Sequence, residues 1–230
     1  MPARDLERDM KGYVPEGQFT HDELLKTITE DVRGAYYIYL HKVNRGQFEP
    51  RWRGVRVVKQ ATDLVLYAQA IFDTKPDWII ETGTRFGGSA LFFGDMLMLT
   101  GGKGVITIDV KPHHTLIPHP FVEYVTGSST DLGEFRKLRS RLKGKGSVMV
   151  VLDSDHRTDH VAKEMEYYHQ LVTPRQYLVV EDCWAYKDTP FPPYEATVEF
   201  LKNHPEFKRK DLAKQFIFGV TRDGWLLKAE

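Results

Sequence analysis

Two hydrophobic runs end in acidic residues, and these acids are well placed to do chemistry. Residues 148–152 precede Asp153, and residues 177–180 precede Glu181 and Asp182, with one helix-length segment between the runs. A right-handed crossover between two buried parallel strands brings their carboxyl ends together, at the edge where α/β sheets bind ligands. Carboxylates that crowd one another raise each other's pKa or need a cation between them. The sequence therefore predicts a divalent metal site formed by Asp153, Glu181 and Asp182.

A glycine-rich segment, ETGTRFGGS at residues 81–89, lies between a predicted strand and a predicted helix. Glycines let a ligand approach the backbone, and a helix N-terminus offers unpaired N–H groups, although the same glycines are also typical of a simple tight turn. The loop is neither GxGxxG nor a P-loop, which disfavours NAD and ATP. The predicted cofactor-binding residues in this loop are Glu81, Gly83, Thr84, Gly87 and Ser89.

A second acid, Asp109, ends the next predicted strand, 28 residues after Glu81. An acid at this position can accept hydrogen bonds from the two hydroxyls of a ribose. Glu81 would repel a pyrophosphate and attract an amine. S-adenosylmethionine has an amine, a sulfonium cation and a ribose but no phosphate, so it fits this pair of acids.

A candidate general base, His156, follows Asp153 by three residues. An unperturbed imidazole pKa near 6.5 suits proton transfer at neutral pH. We predict that His156 and Asp153 are catalytic. The alternatives are that His156 caps the helix starting near Thr158 or only hydrogen-bonds a metal ligand. His160, one helical turn later, is a weaker candidate.

The elements that must position these residues alternate between strands and helices from Trp78 onward. This order predicts an α/β fold with a doubly wound, mostly parallel seven-stranded sheet. Residues 216–229 are predicted to form a terminal hairpin that turns at residues 222–224. Residues 1–75 are predicted to be an N-terminal helical region, with a helix from Thr20 to about Val32, that covers a sheet face or forms a subunit interface. Residues 76–230 form the Rossmann-like domain, and we expect a homo-oligomer.

The composition of the chain excludes several function classes. The 230 residues contain 32 basic and 32 acidic side chains, so no global positive field exists to hold nucleic acid or anionic lipid. The single cysteine, Cys183, excludes an intramolecular disulfide, and no stretch approaches the ~20 apolar residues of a membrane helix. The start of the chain lacks the apolar core of a secretory signal. We expect a cytoplasmic protein that acts on a small molecule.

The segments RWRGVRVVKQ at residues 51–60, DLVLYAQAIFDTKPDWIIETGTRFGGSALFF, VLDSDH and VVED resemble the cephalosporin hydroxylase family of S-adenosylmethionine-dependent enzymes. Members include methyltransferases of antibiotic and rhamnosyl hydroxyl groups. The resemblance runs from about Arg51 to the C-terminus. It implies a class I methyltransferase fold, with Mg²⁺ held by one aspartate after the fourth strand and by the pair at 181–182. Asp153 is the first choice for that aspartate and Asp155 the reserve.

The resemblance also implies that the cofactor lies near Glu81, Gly83 and Asp109, and we predict that Asp153 is a cofactor-binding residue as well. The family's usual acid after the third strand is replaced by Ser128 and Ser129, and we assign Ser128 to the cofactor site at this position.

The expected activity is S-adenosylmethionine- and Mg²⁺-dependent O-methylation of a hydroxylated small molecule, a sugar or natural product. A phosphoryl transferase would use the same acids but needs a phosphate cradle that the glycine loop lacks. A cofactor-binding partner subunit of a multi-component tailoring system, such as an antibiotic hydroxylation, is the non-catalytic alternative.

Overall fold

A computed structural model describes residues 50–111, 116–183, 185–186, 189–190, 192–210 and 219–230, and the single residues Val32, Leu212 and Phe216. The helix predicted from Thr20 to Val32 lies almost entirely outside these residues. The division of the chain near residue 75 stays a prediction.

The described part of the chain contains eleven strands and five helices. The strands are β1 (Arg51–Trp52), β2 (Val55–Arg56), β3 (Trp78–Thr82), β4 (Gly104–Asp109), β5 (Val122–Thr126), β6 (Val148–Leu152), β7 (Tyr177–Val180), β8 (Ala185–Tyr186), β9 (Thr189–Pro190), β10 (Phe207–Arg209) and β11 (Trp225–Lys228). The helices are α1 (Ala61–Thr74), α2 (Gly88–Thr100), α3 (Leu132–Leu142), α4 (Thr158–Tyr168) and α5 (Pro192–Asn203).

Seven strands form one sheet in the order β10-β11-β7-β6-β3-β4-β5. Strands β3 to β7 are parallel, whereas β11 is antiparallel to both β7 and β10. The order reverses at β3, and this switch point brings the ends of β3, β4 and β6 together at one edge. The predicted α/β fold with a mostly parallel seven-stranded sheet is confirmed.

Helices cover both faces of the sheet, because the central strands alternate apolar side chains between two cores. Ile80 and Val150 pack with Phe135 of α3 and Met165 of α4 on one face. The opposite face contains a second core, in which α1 and α2 pack on the sheet through Leu66, Tyr67, Ile71, Phe93 and Leu97. Strand β6 is buried along its whole length, which explains its uninterrupted apolar sequence.

Local sequence signals set several helix ends. Asp131 caps α3 by accepting a hydrogen bond from the backbone N–H of Glu134 at 2.8 Å. Helix α2 ends at Gly101, which has a φ of 81°, a conformation that glycine adopts without strain. Helix α1 ends before Pro76, as the sequence predicts.

The predicted terminal hairpin is wrong in one respect. Strand β11 pairs with Phe207–Arg209 and not with residues 216–220, whose described members, Phe216, Gly219 and Val220, lie outside any strand. The predicted turn at residues 222–224 is present, with Gly224 N donating to Thr221 O at 2.9 Å. This turn leads from a connecting segment into β11. Gly224 packs closely on β7 there, since a Cβ at Gly224 would lie 1.9 Å from the Val180 carbonyl oxygen.

Among the described helices, none combines the length and the apolar character that crossing a membrane requires.

Candidate active site

Strands β6 and β7 bring the predicted acids together at the carboxyl edge of the sheet. The two strands are parallel neighbours with Leu152 opposite Val180, so Asp153 and Glu181 are the next residues beyond the paired ends. The backbone fixes both positions, since Asp153 N donates to Thr82 O and Glu181 N donates to Leu152 O, each at 3.0 Å. The adjacency predicted from the two acid-ended runs is therefore present.

A buried lysine lies between two of these acids. Lys59 Nζ donates to Asp153 Oδ2 at 2.6 Å and to Glu181 Oε1 at 2.7 Å. Tyr67 OH also donates to Glu181 Oε1, at 2.5 Å. The Lys59 and Glu181 side chains are only 1% and 2% exposed, so the protein itself supplies one cation to the carboxylate cluster.

The electrostatics of this inner cluster leave negative charge uncompensated. Although burial opposes it, the carboxylates of Asp153 and Glu181 raise the pKa of Lys59, so the ammonium stays charged. Burial raises the pKa of Glu181 to about 8, with the Asp153 anion adding to the effect. Burial also raises the pKa of Asp182. One ammonium does not neutralise three carboxylates when all of them are ionised, and a further cation at this edge would then be stabilised.

A second, more exposed cluster lies next to the buried one. The His156 Nε2 atom is 3.1 Å from Asp182 Oδ2 and 4.0 Å from Asp153 Oδ1. Ligand-type atoms of these three residues all lie within 4.8 Å of one another, a spacing that could hold a metal ion. Asp153 links the two clusters, because Oδ2 contacts Lys59 and Oδ1 faces His156. Asp182 adopts a φ of 50°, which directs the chain away from β7 immediately after Glu181.

The structure therefore divides the three predicted metal ligands between two environments. Asp153 and Asp182 flank His156, whereas Glu181 Oε1 is held by Lys59 and Tyr67. Neither hydrogen bond uses Glu181 Oε2, and the predicted role of Glu181 as a metal ligand stays a prediction. The reserve candidate, Asp155, forms an ion pair with Arg157 at 3.0 Å and is not part of either cluster.

Lys59 is positioned by a small hairpin anchored on α2. Asp95 of α2 accepts hydrogen bonds from Trp52 Nε1 and from both Arg53 nitrogens Nε and Nη2, which fixes β1 and β2 over the start of the helix. Gly88 allows this contact, since a Cβ there would lie 2.1 Å from the carbonyl oxygen of Arg56. The chain then passes through Val58 with a φ of 56°, a conformation that is unfavourable for a β-branched residue. Such strain next to a buried ammonium is typical of functional sites.

The loop between β3 and α2 is organised around the buried carboxylate of Glu81. Glu81 Oε1 accepts a hydrogen bond from Ser89 Oγ at 2.5 Å, and Oε2 accepts one from Thr107 Oγ1 at 2.6 Å. Thr84 joins the network through Thr107 at 2.7 Å. Because Glu81 is fully buried, these contacts stabilise the turn, and the predicted attraction of Glu81 for a ligand amine stays a prediction. Burial raises the pKa of Glu81 to about 7.

The two remaining glycines of the loop have different structural roles. Gly87 is the N-cap of α2 with a φ of 84°, and its N–H donates to Thr84 O at 2.8 Å. Gly83 has a φ of 90°, and a Cβ there would lie 1.9 Å from the carbonyl oxygen of Asp153. Gly83 therefore permits a close approach between the loop that follows β3 and the backbone of Asp153.

We expect the Gly83→Ala variant to be less stable than the Gly101→Ala variant. Gly101 has a similar φ, 81°, but open space around the added Cβ, so it reports the backbone strain alone, about 1–2 kcal/mol. The clash at Gly83 should add about 2 kcal/mol and displace Asp153. Urea unfolding of both variants measures the difference. Equal losses of stability would show that the contact with Asp153 does not constrain this turn.

Asp109 is the last residue of β4, as the sequence predicts, and Ser128 lies two residues beyond the end of β5. Asp109 Oδ2 accepts a hydrogen bond from Arg85 N and Oδ1 accepts one from Lys111 N, both at 2.8 Å. Each carboxylate oxygen retains a second lone pair for a ribose hydroxyl. Ser128 Oγ contacts Thr130 Oγ1 at 3.1 Å. The roles of Asp109 and Ser128 in cofactor binding stay predictions.

Lys59 and Tyr67 are the site residues that sequence reasoning missed. An isolated lysine in RVVKQ and a tyrosine on the apolar face of α1 have no diagnostic spacing to the acids. Asp153 lies 94 positions after Lys59, and Glu181 lies 114 positions after Tyr67. The only sequence signal for Lys59 is that it lies in the segment 51–60, which carries part of the family resemblance. The minor candidate, His160, contacts Ser154 Oγ at 3.1 Å, away from the Asp153 carboxylate.

Comparison with known proteins identifies the family of the chain. The family described as Rhamnosyl O-methyltransferase/CmcI matches residues 45–229. The rhamnosyl O-methyltransferase of Mycobacterium leprae is 32% identical over 204 residues, which cover 82% of this chain and 88% of that protein. The Mycobacterium tuberculosis rhamnosyl O-methyltransferase is 32% identical over 191 residues, 77% of each chain.

A solved CmcI structure containing Mg and SAM has the same fold. Its TM-score is 0.63 at 22% sequence identity, and the match covers 79% of this chain and 77% of that one. The resemblance found in the sequence is confirmed, since the matched residues include every segment that carried it. The chain belongs to the Rhamnosyl O-methyltransferase/CmcI family.

Proposed function

We propose that this protein is an S-adenosylmethionine- and Mg²⁺-dependent O-methyltransferase that acts on a hydroxyl of a small polar acceptor, a sugar or a natural product. The observation that carries the proposal is the convergence of Asp153, His156 and Asp182 at the carboxyl edge of β6 and β7. The activity of the family agrees with this geometry. The named rhamnosyl substrates of the relatives make a sugar hydroxyl the first acceptor to test.

The residues present fit both cofactors. Carboxylate oxygens are the donors that Mg²⁺ prefers, and Asp153 and Asp182 offer them on either side of one imidazole. Burial raises the pKa of Asp182, and the neighbouring Asp153 carboxylate raises it further. The Asp109 carboxylate and the turn at residues 83–87 form the neighbouring part of the same edge. When bound, the metal lowers the pKa of an acceptor hydroxyl and the sulfonium cofactor supplies the methyl group.

The protein contributes position and proton transfer. We infer that the His156 imidazole accepts the proton of the acceptor hydroxyl on Nδ1, because Nε2 faces both aspartates and a carboxylate can only accept a hydrogen bond from it. The Asp182 carboxylate, 3.1 Å away, stabilises the imidazolium that forms. His156 and Asp182 are 44% and 38% exposed, so an acceptor can reach them, whereas Lys59 below them holds Asp153 fixed. Preorganised positioning of this kind is a principal source of rate enhancement in enzymes.

A purified-protein assay tests the function directly. We expect release of S-adenosylhomocysteine from S-adenosylmethionine in the presence of a rhamnosyl glycoside or another sugar acceptor, and loss of this release in chelator. Restoration by added Mg²⁺ completes the test. Tight cofactor binding without turnover on a panel of acceptors would instead favour the partner-subunit function. Sedimentation of the full chain tests the proposed homo-oligomer.

The buried acids predict that stability falls as pH rises in the absence of metal. Folding raises the pKa of Glu81 to about 7 and that of Glu181 to about 8, from 4.5 for both. The folded protein therefore retains protons that the unfolded chain releases, and the free energy of unfolding decreases between about pH 4.5 and about pH 8. We expect a lower Tm in chelator at about pH 8.5 than at about pH 6, and a larger Mg²⁺-induced rise in Tm at the higher pH.

A Glu181→Gln variant is the control for this pH dependence. Since glutamine cannot ionise, the variant should lose the part of the decrease that occurs near pH 8 while keeping the part due to Glu81. A Tm in chelator that rises with pH over the same range would contradict the assignment of uncompensated charge to this cluster.

A further inference from the structure

A second group of ligand-type side chains lies away from the candidate active site. His169 directly follows α4, His204 directly follows α5, and Glu206 directly precedes β10. Each residue offers one atom that can bind a metal, an imidazole nitrogen or a carboxylate oxygen, and these three atoms lie within 4.8 Å of one another. Helix α4 has 11 residues and is about 16 Å long. Because His156 lies just before its first turn and His169 just after its last, the helix separates the two sites.

The hydrogen bonds of the two rings prepare them for metal binding. His169 Nδ1 lies 2.8 Å from the carbonyl oxygen of Met165. A carbonyl can only accept, so the proton is on Nδ1 and the lone pair is on Nε2. His204 Nδ1 lies 3.1 Å from Glu206 Oε1. Histidine ligands of metals typically donate their other ring N–H to a carbonyl, as His169 does. At His204 a metal ion would take the place of the proton shared by Nδ1 and Glu206 Oε1.

Packing holds the rings close together. The centroids of His169 and His204 are 4.3 Å apart, and the Phe200 ring stacks on His204 at 4.1 Å. Two imidazolium cations at this separation would repel one another. Burial lowers the pKa of His169, and the neighbouring His204 and Lys228 lower it further. A neutral ring is the form that binds a metal.

We propose that His169, His204 and Glu206 form a binding site for a transition-metal ion of the Zn²⁺ class. Zinc bound to nitrogen at 2.0–2.1 Å has ligand atoms roughly 3.3 Å apart in a tetrahedron. His204 Nδ1 and Glu206 Oε1 are already 3.1 Å apart, and the group, whose atoms lie within 4.8 Å of one another, would contract around the ion. Glu206 and His204 are 40% and 25% exposed and have room to move in this way. A mixed nitrogen and oxygen set favours Zn²⁺ over Mg²⁺, which prefers oxygen alone.

The site also has an entry path and a structural consequence. An open groove of about 170 Å³ adjoins His204, and the acidic residues Glu166 and Glu199 are among its lining residues. A bound ion would join the ends of α4 and α5 to the start of β10. Three protein ligands leave a fourth position for water. A bound ion would thus connect the last two described helices independently of the Mg²⁺ site.

Zinc titration of the metal-free protein in excess Mg²⁺ tests the proposal. We expect the Zn²⁺-saturated wild-type protein to show a Tm higher by roughly 5 °C. The His204→Gln and Glu206→Gln variants should lose this rise and bind Zn²⁺ about 10-fold or more weakly. Because Glu206 is partly exposed, Glu206→Gln is expected to fold. It therefore tests the site even if His204→Gln does not fold. Circular dichroism in chelator verifies folding.

The His156→Gln variant is the matched control. It removes the histidine of the other cluster and should keep the full Zn²⁺-induced rise in Tm. The proposal is overturned if the wild-type protein shows no rise, if Glu206→Gln binds Zn²⁺ as tightly as the wild type, or if only His156→Gln loses the effect. The last result would place Zn²⁺ at the Asp153 cluster. These readouts do not require methyl transfer, so they stand or fall separately from the proposed function.

Discussion

The Asp153→Asn variant is expected to lower kcat/KM for methyl transfer by about 10³-fold. Asp153 is the residue that connects both clusters, with Oδ2 on Lys59 and Oδ1 facing His156. Asparagine keeps the shape but removes the charge that a divalent cation and an imidazolium require. The fold should persist, because Lys59 keeps its ion pair with Glu181. Initial rates over a range of Mg²⁺ concentrations, with calorimetry for cofactor affinity, measure the effect.

The neighbouring acid provides a matched control. Asp155→Asn removes the same charge two residues away, but Asp155 is paired with Arg157 outside the cluster. We expect this variant to keep near-wild-type activity and Mg²⁺ dependence. The opposite pattern, in which Asp155→Asn is inactive and Asp153→Asn is not, would transfer the metal-ligand role to the reserve candidate.

The Lys59→Met variant is expected to lose about 3–5 kcal/mol of stability in chelator. Methionine retains most of the buried volume, but it leaves Asp153 and Glu181 facing one another without a counter-charge. Removal of one partner from a buried ion pair costs more than the pair contributes, because an uncompensated charge stays in the interior. Added Mg²⁺ should restore part of this loss, since it neutralises the same carboxylates. Chemical denaturation with and without Mg²⁺ measures both effects.

Two further variants separate charge from packing. Lys137→Met removes a lysine whose ion pair with Glu134 is exposed, and it should leave stability unchanged within error. The double variant Lys59→Met, Glu181→Gln removes one of the uncompensated charges and should be more stable than Lys59→Met alone. A Lys59→Met protein as stable as the wild type in chelator would show that the buried ammonium is not required by the acids.

The sheet and its acid-bearing edge were predictable because their signals are local. Runs such as VMVVLD contain both the strand and the residue at its end, and parallel order then places Asp153 beside Glu181. Family membership followed from the same segments. Strands β6 and β7 are buried along their whole length, so both runs are apolar throughout and easily recognised.

Lys59 was not predictable, because its position depends on contacts between distant parts of the chain. The hairpin at residues 51–56 is fixed by Asp95, and the strained backbone at Val58 then turns Lys59 inward. The division of the acids between a buried and an exposed cluster likewise depends on the φ of 50° at Asp182. The partner of β11 was predicted wrongly for a similar reason. A turn signal identifies where the chain reverses, but the pairing is decided by which strand offers an open edge.

The placement of β11 has a consequence for biosynthesis. This strand lies between β7 and β10, although it is the last described strand to leave the ribosome. Until it is synthesised, the hydrophobic strand Tyr177–Val180 has one unpaired edge, which is the type of surface that promotes aggregation of nascent chains. Co-translational folding should therefore stall at a five-stranded parallel intermediate, and chaperone dependence during expression should be greatest for chains truncated before Trp225.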